Sequence, residues 1–142
     1  MARLDRISLD AATYPFGALI PTRYDDLDEQ GHVNNAAAVV LLQEGRVRFS
    51  QSLGLRNLMP GLRIMVASTL IEYAAELRHP QSVELRCGIG RVGRTSFSIF
   101  QLARQDGRTS IYAESTLVIA NGAGPVAMPD AVRQRMHLAT VA

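Results

Sequence analysis

The stretch from Arg23 to Leu42, RYDDLDEQGHVNNAAAVVLL, decides the fold of this chain. Acidic residues surround a glycine turn at Gly31, and two asparagines then precede the most apolar run of the sequence. Asn before an apolar segment signals a helix start, because its side chain accepts hydrogen bonds from the free N–H groups of the first turn. We therefore predict an acidic loop that leads into a buried helix. A carboxylate beside free N–H donors and a positive helix end is suited to acyl chemistry.

The hydrophobic period changes once along the chain. Apolar residues from Asn34 to about Leu53 recur at spacings of three and four, which predicts one long helix that stops at Gly54. Later segments alternate with a period of two and predict strands, and Pro129 opens a short terminal helix. A lead-in arm (1–13), a loop (55–61) and strands over 16–24, 69–77, 82–89, 96–104 and 109–120 complete the prediction. The fold class is α+β, in a single domain 1–142 with its core at about 16–135.

Composition excludes several classes of protein. The net charge is only +2, and the fifteen basic residues, all Arg, are scattered, so no nucleic-acid-binding patch is expected. A lone Cys87 predicts no disulfide framework and suits a reducing compartment. No apolar run approaches the ~20 residues of a membrane helix, and the N-terminus lacks a secretory pattern, so we expect a cytoplasmic protein without a membrane partner. The three histidines lie far apart, which predicts no metal site.

The motif Asp26-Leu-Asp28-x-x-Gly31-His-Val-Asn-Asn35 resembles the signature of hot-dog-fold acyl-CoA thioesterases, the 4-hydroxybenzoyl-CoA thioesterase-like group. Glu44-Gly-Arg46, Pro80 and Gly93-x-x-Ser96 also have counterparts there. The resemblance implies a hot-dog fold, in which a five- or six-stranded antiparallel sheet wraps a long central helix. It further implies hydrolysis of an acyl-CoA thioester to free acid and coenzyme A, in a homodimer or homotetramer, with no cofactor beyond the substrate's own coenzyme A.

The resemblance also implies roles for individual residues. Asp28 would attack the thioester carbonyl or activate a water, while the backbone N–H of Asn35 would stabilise the developing negative charge. Glu44 would orient the water or the loop, although a buried ion pair with an arginine explains it equally well. Arg94 would bind coenzyme A phosphates, which a guanidinium suits. The other implied substrate-binding positions are Gly31, His32, Val33, Asn34 and Ser96.

Other interpretations remain open at the level of sequence. Asp28 could be a loop or capping carboxylate, and Asp26 is expected to hold the loop through hydrogen bonds. Ala38 stands where many relatives have an aromatic residue, which indicates an enlarged acyl pocket or an altered substrate. The competing functions are hydrolysis of acyl-carrier-protein thioesters and non-catalytic binding of acyl-CoA. Hydration of enoyl esters is disfavoured because the expected histidine-centred loop is missing.

Overall fold

The computed structural model describes residues 10–141, in which a long helix packs against a six-stranded antiparallel sheet. The strand order is β1-β3-β4-β5-β2, with β6 paired to β5, so β1 and β2 form the two edges. The predicted α+β arrangement is confirmed. The elements are β1 (Phe16–Ile20), α1 (Asn35–Ser52), α2 (Leu55–Leu58), β2 (Arg63–Tyr73), β3 (Val83–Val92), β4 (Ser96–Gln105), β5 (Arg108–Asn121), β6 (Gly124–Pro125) and α3 (Asp130–His137).

Helix α1 follows its sequence pattern closely. Asn34 is the N-cap, and its side-chain oxygen accepts a 2.8 Å hydrogen bond from the backbone N–H of Ala37. Residues at the predicted three- and four-residue spacings form the buried face. This face joins two core clusters, because Leu42 packs with Leu85 and Ile111, whereas Phe49 packs with residues of β3, β4 and α3. The buried positions are Ala37, Ala38, Leu41, Leu42, Gly45, Arg46 and Phe49.

Gly45 is the point of closest approach between α1 and the sheet. A Cβ atom at this position would lie 3.0 Å from Gln101 Nε2 and 3.1 Å from Leu85 Cγ. A larger side chain would therefore push the helix away from β3 and β4. The absence of a side chain at Gly45 sets the depth at which α1 sits, despite the cost of glycine inside a helix.

The edge strand β2 differs from its prediction. Alternation predicted a strand over 69–77, whereas β2 begins at Arg63 and ends at Tyr73. It ends there because the backbone N–H groups of Ala74 and Ala75 both donate to the Ser110 carbonyl, at 2.8 and 3.1 Å, and turn the chain out of the sheet. Its first half carries no period-two signal, since residues on both sides of the strand are exposed.

Smaller differences have local causes. The first strand was predicted over 16–24 but ends at Ile20, because Pro21 has no N–H to donate and a 3₁₀ turn follows at Tyr24–Asp26. Within the predicted loop 55–61, Leu55–Leu58 forms a short helix. The hairpin between β4 and β5 is confirmed, with positive φ at both Asp106 and Gly107 as a type I′ turn requires. The lead-in arm lies mostly outside the described residues, apart from a 3₁₀ turn at Ala11–Thr13.

Replacing Gly45 tests the close packing of α1. We expect Gly45→Val to lower the free energy of unfolding by roughly 1–3 kcal/mol, the usual cost of overpacking a core. Urea unfolding followed by circular dichroism measures this change. Gly122→Val is the matched control, because a Cβ at Gly122 meets no atom within 4 Å. Equal stability of the two variants would contradict the packing described here.

Candidate active site

Asp26 fastens the acidic loop to the start of α1. One carboxylate oxygen accepts a 2.8 Å hydrogen bond from the backbone N–H of Arg23, and the other accepts a 3.0 Å bond from its guanidinium. The carbonyl of Asp26 accepts a further 2.8 Å bond from the N–H of Asn34. The hydrogen bond and charge of Asp26 raise the pKa of Arg23. Because Asp26 is buried and fully engaged, its role is to hold the loop, as predicted.

Asp28 is held by one oxygen and leaves the other available. Its Oδ1 accepts hydrogen bonds from the backbone N–H groups of Gln30, at 2.9 Å, and His32, at 3.1 Å. Among residues 10–141, its Oδ2 has no hydrogen-bond partner. Gly31 makes the tight turn between these donors, with φ at +82°, a conformation that favours glycine. The loop therefore fixes the orientation of an exposed carboxylate.

The first turn of α1 provides free N–H donors next to this carboxylate. The side chain of Asn34 takes the N–H of Ala37, and the N–H of Ala38 begins the helical hydrogen bonds. Within the described part of the chain, the N–H groups of Asn35 and Ala36 have no acceptor. They lie at the positive end of the dipole of an 18-residue helix, where negative charge is stabilised.

A cavity of about 350 Å³ brings several of the predicted site residues together. We refer to it as the Asp28 cavity. Its lining includes Asp28, His32, Val33 and Asn35, and its apolar walls come from Ala38, Tyr73, Leu77 and Ile111. Since Ala38 is one of these walls, its small side chain leaves room that an aromatic residue would fill.

Glu76 is a polar residue of this cavity that the sequence did not reveal. It falls within the predicted strand over 69–77, but the bend at Ala74 and Ala75 carries it beside the acidic loop. The chain there pairs with the loop, since the N–H of Val33 donates to the Leu77 carbonyl at 3.0 Å. Glu76 Oε2 lies 2.6 Å from His32 Nδ1, but the angles do not meet those of a hydrogen bond. The contact is an ion pair when the imidazole ring of His32 is protonated.

Glu44 is not brought to the Asp28 cavity. It lies on the half-exposed side of α1 and forms an ion pair with Arg48, one helical turn further on. The spacing of four residues favours such a pair. The tentative catalytic role of Glu44 therefore has no support within one chain. An ion pair with an arginine is found, but it is half-exposed and is not the buried pair that the sequence left open.

Arg94 and Ser96 lie at the other end of the sheet from Asp28. Ser96 pairs with Val118, whereas Ile111, which lines the Asp28 cavity, pairs with Ala103. Roughly 20 Å of strand separates the two ends. Arg94 is exposed, and its carbonyl accepts a 2.8 Å hydrogen bond from the N–H of Met128. Neither residue lines the cavity beside Asp28, and the predicted contact of Arg94 with coenzyme A phosphates stays a prediction.

Comparison with known proteins identifies the family of this chain. A family model described as the thioesterase-like superfamily matches residues 22–136. The chain belongs to the thioesterase-like superfamily. Its match includes the acidic loop, α1 and the whole of β2 to β5, so the predicted hot-dog fold and the predicted family are both confirmed. No curated protein matches the chain.

Solved structures of similar shape include several named thioesterases. A predicted thioesterase of Bacillus stearothermophilus has 26% identity and a TM-score of 0.80, with 88% of this chain and 96% of that chain covered. A thioesterase of Thermus thermophilus, complexed with coenzyme A and Zn, has 25% identity and a TM-score of 0.79 over 89% and 94%. A Pseudomonas aeruginosa protein, at 22% identity and a TM-score of 0.82 over 93% and 96%, shows the fold alone.

Other reactive groups of this thioesterase-like chain do not form a second catalytic site. Among residues 10–141, no group of three His, Cys, Asp or Glu side chains could hold a metal ion, and no helix is long and apolar enough to cross a membrane. Burial raises the pKa of the Cys87 thiol to about 12, and Gln101 donates a 3.3 Å hydrogen bond to its sulfur. Cys87 is therefore a neutral thiol at pH 7 and not a nucleophile.

The state of Cys87 can be measured directly. We expect its labelling by a thiol-specific disulfide reagent at pH 8 to be at least about 100-fold slower in the folded protein than in urea, because the thiolate is scarce and buried. The pKa of Cys87 in the folded state lies above that of a free thiol, which is near 8.5. The contribution of this group to the free energy of unfolding is therefore fully present below about pH 8 and decreases as the pH rises further. Rapid labelling of the native protein would contradict this description.

Proposed function

We propose that Asp28 and the first turn of α1 carry out the hydrolysis of an acyl-CoA thioester to a free carboxylic acid and coenzyme A. One observation carries this proposal. The Asp28 carboxylate lines the same cavity as Asn35 at the positive end of α1, and among residues 10–141 neither Asp28 Oδ2 nor the N–H of Asn35 has a hydrogen-bond partner. Thioester hydrolysis needs such a pair, a base or nucleophile beside a donor for the developing oxyanion.

The reaction follows from this geometry. The thioester carbonyl oxygen accepts a hydrogen bond from the N–H of Asn35, and the carbonyl carbon lies against Asp28 Oδ2. Either Oδ2 attacks and forms a mixed anhydride, which water then hydrolyses, or Oδ2 takes a proton from the attacking water. In both routes the C–S bond breaks and the electron pair leaves with sulfur. A thiolate is stable enough near neutral pH that no strong general acid is needed.

Further observations support the class of substrate and the cellular location. The coenzyme A bound to the Thermus thermophilus relative supports a coenzyme A ester as substrate. The acidic loop, α1 and the Asp28 cavity supply every group that the reaction requires, so no further cofactor is proposed. The single cysteine is a buried free thiol, which supports a cytoplasmic location.

We also propose that the protein acts as a homodimer, alone or as half of a homotetramer. Large apolar side chains are exposed on two adjacent surfaces, one on α1 and one on the edge strand β2. Such a long, apolar edge is a template for pairing with another strand, and monomers avoid it. The exposed fractions are 42% for Val39, 55% for Val40, 47% for Val47, 53% for Met65 and 51% for Val66.

Asp28→Asn tests the catalytic assignment. We expect kcat/KM for acyl-CoA hydrolysis to fall by roughly 10²- to 10⁴-fold, the usual loss when a positioned base is removed. Release of free thiol from a panel of short, long and aromatic acyl-CoA esters measures the rate. Asp25→Asn is the matched control, because Asp25 is an exposed residue of the same loop and does not line the Asp28 cavity.

The same panel, extended with acyl-carrier-protein esters, separates the competing functions. Hydrolysis that survives Asp28→Asn would move catalysis to another group, with Glu76 the first to test. Tight binding of an ester without turnover by the wild-type protein would identify a non-catalytic acyl-CoA-binding protein. Turnover of acyl-carrier-protein esters alone would identify the carrier-protein thioesterase.

A charge on the apolar stripe of α1 tests the proposed dimer. We expect Val40→Asp to shift the protein to monomer in light scattering after size exclusion, because a carboxylate buried at an interface is costly. Leu138→Asp is the control, since Leu138 is 84% exposed at the end of α3 and belongs to neither α1 nor β2. A dimer that survives Val40→Asp at micromolar concentration would show that α1 lies outside the interface.

A further inference from the structure

A second cavity, larger than the first, opens further along α1. Its volume is about 650 Å³, and it lies between α1, α2 and the start of β2. We refer to it as the Arg46 cavity. Its described lining contains three arginines, Arg46, Arg56 and Arg63, and no acidic residue. The remaining lining is mixed, with apolar walls from Val47, Val66 and Leu117 and polar groups from Gln43, Ser50 and Asn57.

Arg46 is a buried cation without a counter-charge. Only 8% of the residue is exposed, and burial lowers its pKa. Its described contacts are two long hydrogen bonds from Nη1 to neutral acceptors, Gln101 Oε1 at 3.3 Å and Ser115 Oγ at 3.4 Å. Among residues 10–141 it forms no ion pair, and its Nε and Nη2 have no acceptor. Buried charges in proteins are normally paired, since desolvation costs several kcal/mol.

The surroundings of Arg46 hold it in place without neutralising it. Gln101 is itself fixed, because its amide nitrogen donates a 2.9 Å hydrogen bond to the Leu42 carbonyl. The hydroxyls of Ser115 and Thr69 are 3.1 Å apart and continue the chain of polar contacts towards β2. The nearby Cys87 thiol stays neutral at pH 7 and adds no negative charge. The guanidinium is therefore preorganised, with donors left over for an anion.

We propose that the Arg46 cavity binds an oxyanion of the substrate, either a carboxylate at the far end of the acyl group or a phosphate of coenzyme A. This proposal rests on the proposed thioesterase function. Both cavities open between α1 and β2, with Ala38 and Tyr73 at the first and Gln43 and Val66 at the second. Arg46 lies roughly 16 Å along the helix from Asn35. An extended acyl chain or pantetheine arm bound between α1 and β2 can span that distance.

Binding of simple anions tests the cavity without any turnover. Calorimetry with inorganic phosphate, glutarate and free coenzyme A should show binding of at least one probe to the wild-type protein. For Arg46→Met we expect the Kd of that probe to rise roughly 10- to 100-fold, the scale of lost hydrogen bonds to a charged group. Arg108→Gln, an exposed arginine of the β4–β5 hairpin, is the control and should bind like the wild type.

A second variant protects the test against misfolding. Arg56→Gln/Arg63→Gln removes two exposed charges of the same cavity, and we expect it to weaken binding several-fold while leaving the thermal melt unchanged. Absence of binding by the wild type, or equal binding by all variants, would overturn the proposal.

Kinetics then identify which part of the substrate supplies the anion. A preference for dodecanedioyl-CoA, whose acyl chain is long enough to span the groups at Asn35 and Arg46, over dodecanoyl-CoA that disappears in Arg46→Met would assign the cavity to a carboxylate of the acyl group. A preference for coenzyme A esters over 3′-dephospho-coenzyme A esters that disappears instead would assign it to a phosphate. Hydrolysis without either charge preference would refute the substrate-oxyanion proposal and leave the thioesterase standing. Anion binding that depends on Arg46, without hydrolysis of any ester, would refute the thioesterase and leave the anion site standing.

Discussion

The position of α1 on the sheet is the constraint on which the rest of the molecule depends. Gly45 lets the helix settle against Leu85 and Gln101 with almost no intervening side chain. That depth buries one face of the helix and leaves its first turn at the surface of the sheet. The Asp26 carbonyl then ties the acidic loop to the N–H of Asn34, so the loop and the helix start move as one unit. The position of the helix therefore brings the Asp28 carboxylate and the N–H of Asn35 to a shared cavity.

Features that depend on neighbouring residues could be predicted from the sequence. The helix over 34–53 was recognisable from its period, and its N-cap from the chemistry of Asn34, because both arise within a few residues of chain. The turn at Asp106 and Gly107 follows from the φ angles that those residues tolerate. Asp28 could be singled out because the spacing of the loop motif resembles a known family. The cavity around it agrees with that choice, while its chemistry remains a proposal.

Features that depend on contacts distant in sequence could not be predicted. The chain leaves β2 where two N–H groups meet the single carbonyl of Ser110, an encounter between residues far apart in sequence, and this bend brings Glu76 to the site. The alternating pattern instead predicted that the strand continues through Glu76 to residue 77. Glu44 and Arg46 were equally visible in the sequence, but only the packing of α1 shows that Glu44 points to Arg48 while Arg46 is buried beneath the helix.

The opposite charges of the two cavities acquire a further meaning in the proposed dimer. If two β2 edges pair antiparallel about a two-fold axis, the Tyr73 end of one strand lies beside the Arg63 end of the other. Tyr73 lines the Asp28 cavity and Arg63 lines the Arg46 cavity. The Asp28 cavity of each protomer would then adjoin the Arg46 cavity of its partner. Such pairing would bury the apolar edge of β2. It would also place Arg46 of one protomer near a substrate bound at Asp28 of the other, so that the same surface would serve both dimer formation and substrate binding.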